Sequence, residues 1–168
     1  MKLFLLGFMG AGKSYWGKQL AIHWNLPYFD LDEVIVEREG MSVADIFNQK
    51  GEDYFRKAEG KVLRELAADN DSFLISCGGG TPCFSDTMDF MNEAGTTIWL
   101  NPSLEVMVER LQRKQYKRPL IQDLGTEELM SFTEKKLAER QPFYEQSQII
   151  ISEDEITLET FDKLINNA

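Results

Sequence analysis

One eight-residue segment constrains this chain more than any other. Gly7-Phe-Met-Gly-Ala-Gly-Lys13-Ser14 fits the pattern G-x-x-x-x-G-K-[ST], whose glycines let backbone N–H groups turn inward around phosphate oxygens. The flanks are those the pattern needs. Lys2-Leu-Phe-Leu-Leu6 reads as a short buried strand, and Trp16, Leu20, Ala21 and Trp24 then recur at helical spacing. Strand, glycine loop and helix in that order predict an α/β fold with a phosphate at a helix N-terminus. Gly10, Ala11 and Gly12 are expected to line the phosphates of a nucleoside triphosphate. Lys13 is expected to reach the β- and γ-phosphates, and the Ser14 hydroxyl to ligate Mg²⁺. The plainer alternative is a glycine-rich turn at a helix start.

The rest of the chain repeats the strand–helix alternation. Strands are predicted at 2–6, 28–30, 73–76, 96–100 and 148–151. Helices are predicted at 13–24, 31–38, 43–49, 52–68, 103–113 and 158–165, with one from Ser85 to 93 and one from a Thr126 cap to 141, where Pro142 should end it. Residues 114–125 are polar and read as a loop. Alternation of this kind implies a five-stranded parallel sheet with helices on both faces. Ligands then bind at the carboxyl ends of the strands, the edge that carries the loops at Gly7, Asp30, Gly78 and Asn101.

With 168 residues and no long linker or repeat, one domain is expected. The net charge of -10 disfavours nucleic acid and anionic membrane as partners. No apolar run approaches spanning length, and no leader pattern precedes the first strand, so a cytoplasmic protein is expected. Cys77 and Cys83 lie at no metal-binding spacing, and His23 is the only histidine. Zinc chemistry and Ser-His-Asp or Cys-His nucleophiles therefore lack residues. Phosphoryl transfer needs none of these, since it depends mainly on positioning and electrostatics.

Several further residues could carry that chemistry. Asp30 and Asp32 could serve a metal and a substrate hydroxyl, or could simply favour a helix start. Arg56 lies off the apolar stripe of its helix, with Glu52 and Glu59 placed to hold it, or it could be a solvated charge. Gly78, Gly79 and Gly80 suggest close approach of backbone to a ligand, or a flexible turn. Arg140 falls on the same helix face as Leu129, Thr133 and Leu137, so it should point toward protein or ligand. Arg110, Arg113, Lys114, Lys117 and Arg118 make a basic cluster that fits either a solvated face or a lid over phosphates.

Taken together these residues resemble the shikimate kinase family. The resemblance rests on the glycine loop, Phe29-Asp-Leu-Asp32, Ser42-Val-Ala-Asp-Ile-Phe47, Gly51-Glu with Phe55-Arg56 and Glu59, Gly78-Gly-Gly80, Arg118-Pro-Leu120, and Arg140 with Pro142 and Tyr144. It implies a nucleoside-monophosphate-kinase-like three-layer sandwich, with a substrate-binding region at about 31–60 and a mobile lid at about 112–124. It also implies transfer of the ATP γ-phosphoryl group to the 3-hydroxyl of shikimate, in aromatic amino-acid biosynthesis. By this resemblance Lys13 and Arg118 neutralise phosphates, Ser14 and Asp30 hold Mg²⁺, and Asp32 bonds the reacting hydroxyl. Arg56 and Arg140 grip the shikimate carboxylate, Glu59 orients Arg56, Gly78, Gly79 and Gly80 approach the substrate, and Arg110 stacks near adenine. A monomer is expected. Three departures from the family pattern stand out. Tyr15 replaces a small hydroxyl residue, Ser76-Cys77 precedes the glycines, and the longer 110–118 stretch offers Arg113 as an alternative to Arg110. The rival readings are a gluconate kinase or another small-metabolite kinase on the same core, and a catalytically weak, nucleotide-binding regulatory protein.

Overall fold

The computed structural model describes residues 1–118 and 120–166; Pro119, in the expected lid, lies outside the described residues. The chain runs β1 (Lys2–Leu6), α1 (Lys13–His23), β2 (Tyr28–Asp30), α2 (Leu31–Glu39), α3 (Val43–Lys50), α4 (Glu52–Asp69), β3 (Phe73–Ser76), α5 (Thr87–Ala94), β4 (Thr96–Leu100), α6 (Leu104–Arg113), α7 (Thr126–Tyr144), β5 (Ile149–Ile151) and α8 (Leu158–Asn166). The strands form one sheet in the order β2-β3-β1-β4-β5, with every pairing parallel.

A parallel sheet is covered on both faces, so its strands are apolar throughout and alternate residues serve different layers. In β1, Phe4 and Leu6 pack with Leu31, Ile35, Leu63 and Met91 on the side of α2, α4 and α5. Leu3 and Leu5 pack with Leu20, Ile98, Ile149 and Phe161 on the side of α1 and α8. Beyond the sheet, Phe8 joins Met107, Leu111, Ile121 and Leu129 and fixes α6 and α7 beside the glycine loop. Helix starts are set by side chains: Asp30 caps α2, Ser42 caps α3, and Ser103 caps α6.

Three local expectations need correction. Ser85 is not a cap: it takes a left-handed backbone (φ +53°), and Asp86 precedes α5. A short 3₁₀ turn, Thr81–Cys83, fills the space between the glycine run and that bend. Thr126 is the first residue of α7 rather than its cap; the Gly125 N–H is taken by Glu128 Oε2 at 3.1 Å. Helix α7 also continues through Pro142 to Tyr144. Proline's fixed φ suits a helix and forfeits only one N–H bond near its end. Tyr144, fully buried and 5.4 Å from the Trp99 ring, holds the last turn in place.

Candidate active site

The loop after β1 leaves its strand against the end of β4. A side chain on Gly7 (φ +144°) would sit 2.6 Å from the Leu100 carbonyl oxygen, so the position is confined to glycine. Gly12, left-handed at φ +98°, turns the chain into α1, whose first turn has no side-chain cap. The uncapped N–H groups and the helix dipole face outward as an anion site. Lys13 Nζ donates to the carbonyls of Gly7 at 2.8 Å and Phe8 at 3.0 Å. Burial pulls the Lys13 ammonium down to about 8; Asp32 opposes the fall and Arg118 adds to it. Arg110 lies on the loop, its Nη1 donating to the carbonyls of Gly10 and Ala11 at 3.3 Å each. Arg113 pairs with Glu109 at 2.5 Å in an exposed ion pair. Of the two arginines, Arg110 is therefore the one joined to the loop.

Asp30 caps a helix and reaches the glycine loop at the same time. Its Oδ1 accepts the backbone N–H of Asp32 at 3.1 Å and of Glu33 at 3.3 Å, capping α2, while Oδ2 accepts from Ser14 Oγ at 3.1 Å. Asp32 sits one residue into α2 and faces the same space. Burial first, then Glu59 and Asp30, push its carboxyl up to about 6, against the pull of Lys13 and Arg56.

Across the glycine run lies a second charged group. Arg56 Nη1 donates to Glu59 Oε1 at 2.9 Å, and Glu52 stands 3.7 Å from its Nε. Glu59 is itself only 2% exposed, and its other oxygen accepts from Thr81 Oγ1 at 2.8 Å. Gly80 and Gly79 are narrow by requirement. A Cβ on Gly80 would lie 2.5 Å from Arg56 Nη2, and one on Gly79 would lie 2.8 Å from Arg140 Nη1. Arg140 lies over the Phe8 ring at 5.3 Å, and the Tyr144 hydroxyl donates to the Gly79 carbonyl. Arg56 and Arg140 thus converge on the glycine run, and a Cβ on Gly78 would come within 3.3 Å of Asp32 Oδ1.

A cleft of about 870 Å³ extends along this edge, from Arg110, Arg113, Lys114 and Arg118 past Lys13 and Ser14 to Asp30, Asp32, Gly78 and Gly79. Arg118 is half-buried, which lowers its guanidinium from the usual range. Tyr15 does not fill the loop: it is 63% exposed and meets Trp16 edge-on at the cleft rim. Cys77 and Cys83 are both free thiols, and His23 makes a surface pair with Asp162 at 3.0 Å. Sequence reasoning missed Asp154, which lines the cleft and accepts from the Ser103 N–H at 2.6 Å and its hydroxyl at 2.9 Å. The signal was available, since residues 152–157 also follow the carboxyl end of a strand.

A phosphate loop with its lysine, a carboxylate pair and two arginines across a glycine wall, on one edge of a five-stranded parallel sheet, define a kinase of nucleoside-monophosphate-kinase-like fold. Comparison with known proteins gives the family. Residues 9–168 match the family model described as shikimate kinase. A shikimate kinase from Bacteroides thetaiotaomicron is 42% identical over 93% of this chain and 89% of its own length, and one from Parabacteroides distasonis is 41% identical over 99% and 96%. The solved B. thetaiotaomicron enzyme superposes with a TM-score of 0.90 at 39% identity, covering 99% of this chain and 95% of that one. The Acinetobacter baumannii shikimate kinase, solved in complex with shikimate, superposes with a TM-score of 0.84 at 26% identity, covering 99% and 90%. The chain belongs to the shikimate kinase family, phosphotransferases that act on an alcohol group. The gluconate-kinase and regulatory readings are thereby set aside.

Proposed function

We propose that this protein transfers the γ-phosphoryl group of ATP to the 3-hydroxyl of shikimate, working as a single-domain monomer in the cytoplasm. Among the described residues, no helix is long and apolar enough to cross a membrane. The observation that carries the reading is the convergence of a carboxylate and two guanidiniums on one glycine run: a Cβ would meet Asp32 at Gly78, Arg140 at Gly79 and Arg56 at Gly80. A hydroxylated ring acid fits between them. Its planar carboxylate suits the two guanidiniums, and its hydroxyl is then presented to Asp32.

In this reading the loop amides of Gly10, Ala11 and Gly12 hold phosphate oxygens. Lys13 and Arg118 bear on the charge that spreads over the γ-phosphoryl oxygens during transfer. Asp32 accepts a hydrogen bond from the attacking hydroxyl and can take its proton, since a carboxyl near 6 is mostly ionised at neutral pH. Arg110 lies toward the adenine. Residues 31–60 hold the acid, and residues 112–118 with 120–124 close over the nucleotide. Ser14 Oγ and Asp30 Oδ2, hard oxygen donors 3.1 Å apart, fit Mg²⁺, an ion held by one or two protein oxygens plus phosphates and water. When bound it would supply charge neutralisation at the β- and γ-phosphates.

The test is a coupled ADP-release assay with shikimate, gluconate and other hydroxylated acids, run beside a Lys13→Ala variant checked for folding by circular dichroism. Shikimate should be the preferred acceptor, and Lys13→Ala should lose about 100-fold or more in kcat. Preference for gluconate, or near-parental turnover by the variant, would overturn the assignment.

A further inference from the structure

One hydrogen bond, to Glu59, anchors the Arg56 guanidinium, and a single N–H···O contact does not by itself fix the tilt of the plane. The faces of a guanidinium cannot hydrogen-bond, so tilt is set by what stacks on them. The ring centroid nearest to Arg56 Cζ is that of Phe84, at 4.3 Å; Phe55 and Phe47 lie farther off at 5.2 and 5.9 Å. Phe84 is 37% exposed and lies outside the apolar clusters that fill the core, so its ring is left to Arg56.

The backbone around Phe84 is built to keep it there. The 3₁₀ turn leads out of the glycine run, with the Cys83 N–H on the Gly80 carbonyl at 3.0 Å. Ser85 then takes φ +53°, an uncommon conformation for a residue with a side chain. Asp86 pairs with Arg64 at 2.7 Å, and Arg64 lies over the Phe90 ring at 4.7 Å. Arg56 and Arg64 stand about two turns apart on α4. Residues 84–86 therefore cross α4 as a strap, Phe84 resting on Arg56 and Asp86 fastened to Arg64. The Arg56 Nε is buried without a hydrogen-bond partner, so the tilt also decides what that donor can reach.

From this we propose that Phe84 is a positioning residue for the acid substrate: its ring fixes the tilt of Arg56 and so the aim of the guanidinium across Gly80. The inference rests on the reading of Arg56 as a carboxylate ligand. It extends that reading to a side chain that has no polar contact of its own to offer.

Phe84→Leu keeps apolar bulk and removes the aromatic face; Phe84→Tyr keeps the face. KM for shikimate and for ATP, and kcat, would be measured for both, beside Arg56→Ala. Phe84→Leu should raise the shikimate KM about three- to tenfold, the scale of a partly exposed cation–π contact, with the ATP KM within about twofold and kcat changed less than the shikimate KM. Phe84→Tyr should restore the parental shikimate KM. A parental shikimate KM in Phe84→Leu, or equal rises for both substrates, would overturn the role of Phe84 while a raised KM in Arg56→Ala left the Arg56 reading standing. An unchanged shikimate KM in Arg56→Ala would overturn both.

Discussion

Asparagine in place of Asp32 should change the shape of the pH–rate profile as well as its height. In the ligand-free protein the Asp32 carboxyl stands at about 6 and the Lys13 ammonium at about 8, each displaced mainly by burial. The proposed mechanism uses the carboxylate and the ammonium together, so kcat/KM for ATP should be bell-shaped, with limbs near those two values. At pH 7 each group is about nine-tenths in the required form. At pH 5 only about one-tenth of Asp32 is ionised, so kcat/KM should fall to about a tenth of its maximum. Asp32→Asn removes the acid limb. It also removes the charge that props up Lys13, so the alkaline limb should move to lower pH. The plateau should drop by about 100-fold, the low end for a general base, because the loose transition state asks more for position than for proton removal. ADP release followed from pH 5 to 9 at constant ionic strength gives the profile. A flat parental profile, or a variant that keeps its acid limb, would refute the reasoning. The same shifts bear on stability. The raised Asp32 contributes stability that is present below 3.8 and lost as pH rises through about 6. The lowered Lys13 contributes stability that is present above 10.5 and lost as pH falls through about 8. Between the two limbs the ligand-free site favours folding least, a trend that thermal melting against pH would register.

Asp30→Asn should keep its helix cap, since asparagine caps as well as aspartate, and so leave the melting temperature near parental while activity falls and is partly regained at high Mg²⁺; loss without rescue would count against a metal role. Arg140→Ala should weaken shikimate binding by about 2–5 kcal/mol with little change for ATP, and calorimetric titration that found equal losses for both ligands would make Arg140 structural. Amides in 112–118 and 120–124 should exchange faster in the free protein than with nucleotide and shikimate bound; equal hydrogen exchange in both states would exclude a closing lid.

The glycine loop and its flanks are legible in the sequence because every level agrees there: an apolar run, confined glycines and a helical period point the same way. At Asp30 the helix-start reading does not exclude the other, since Oδ1 caps α2 while Oδ2 is left to meet the Ser14 hydroxyl. The Arg56–Glu59 contact is legible from helical spacing, but the burial of Glu59 is not, because it depends on Thr81 arriving from another segment. Pro142 misleads for a related reason. A local rule stops the helix at 141, and with Tyr144 packed on Trp99 it runs three residues further. The bend at Ser85 leaves no trace in residue type, since serine gives no warning of a left-handed backbone.

The sheet order also fixes when this site can come into being. Strand β1 is central: Lys2 pairs with Phe73 and Leu3 with Thr96, so the earliest strand in the sequence waits for partners some seventy to ninety residues downstream. Gly7 rests on the carbonyl of Leu100. A nascent chain that has emerged only as far as residue 90 has β3 to set beside β1, but it lacks β4 and with it the Leu100 carbonyl against which Gly7 sits. Such non-local pairing is slow to form, because long loops must close before any contact rewards them. The phosphate loop, written first in this chain, thus depends for its full seat on a strand that lies far downstream.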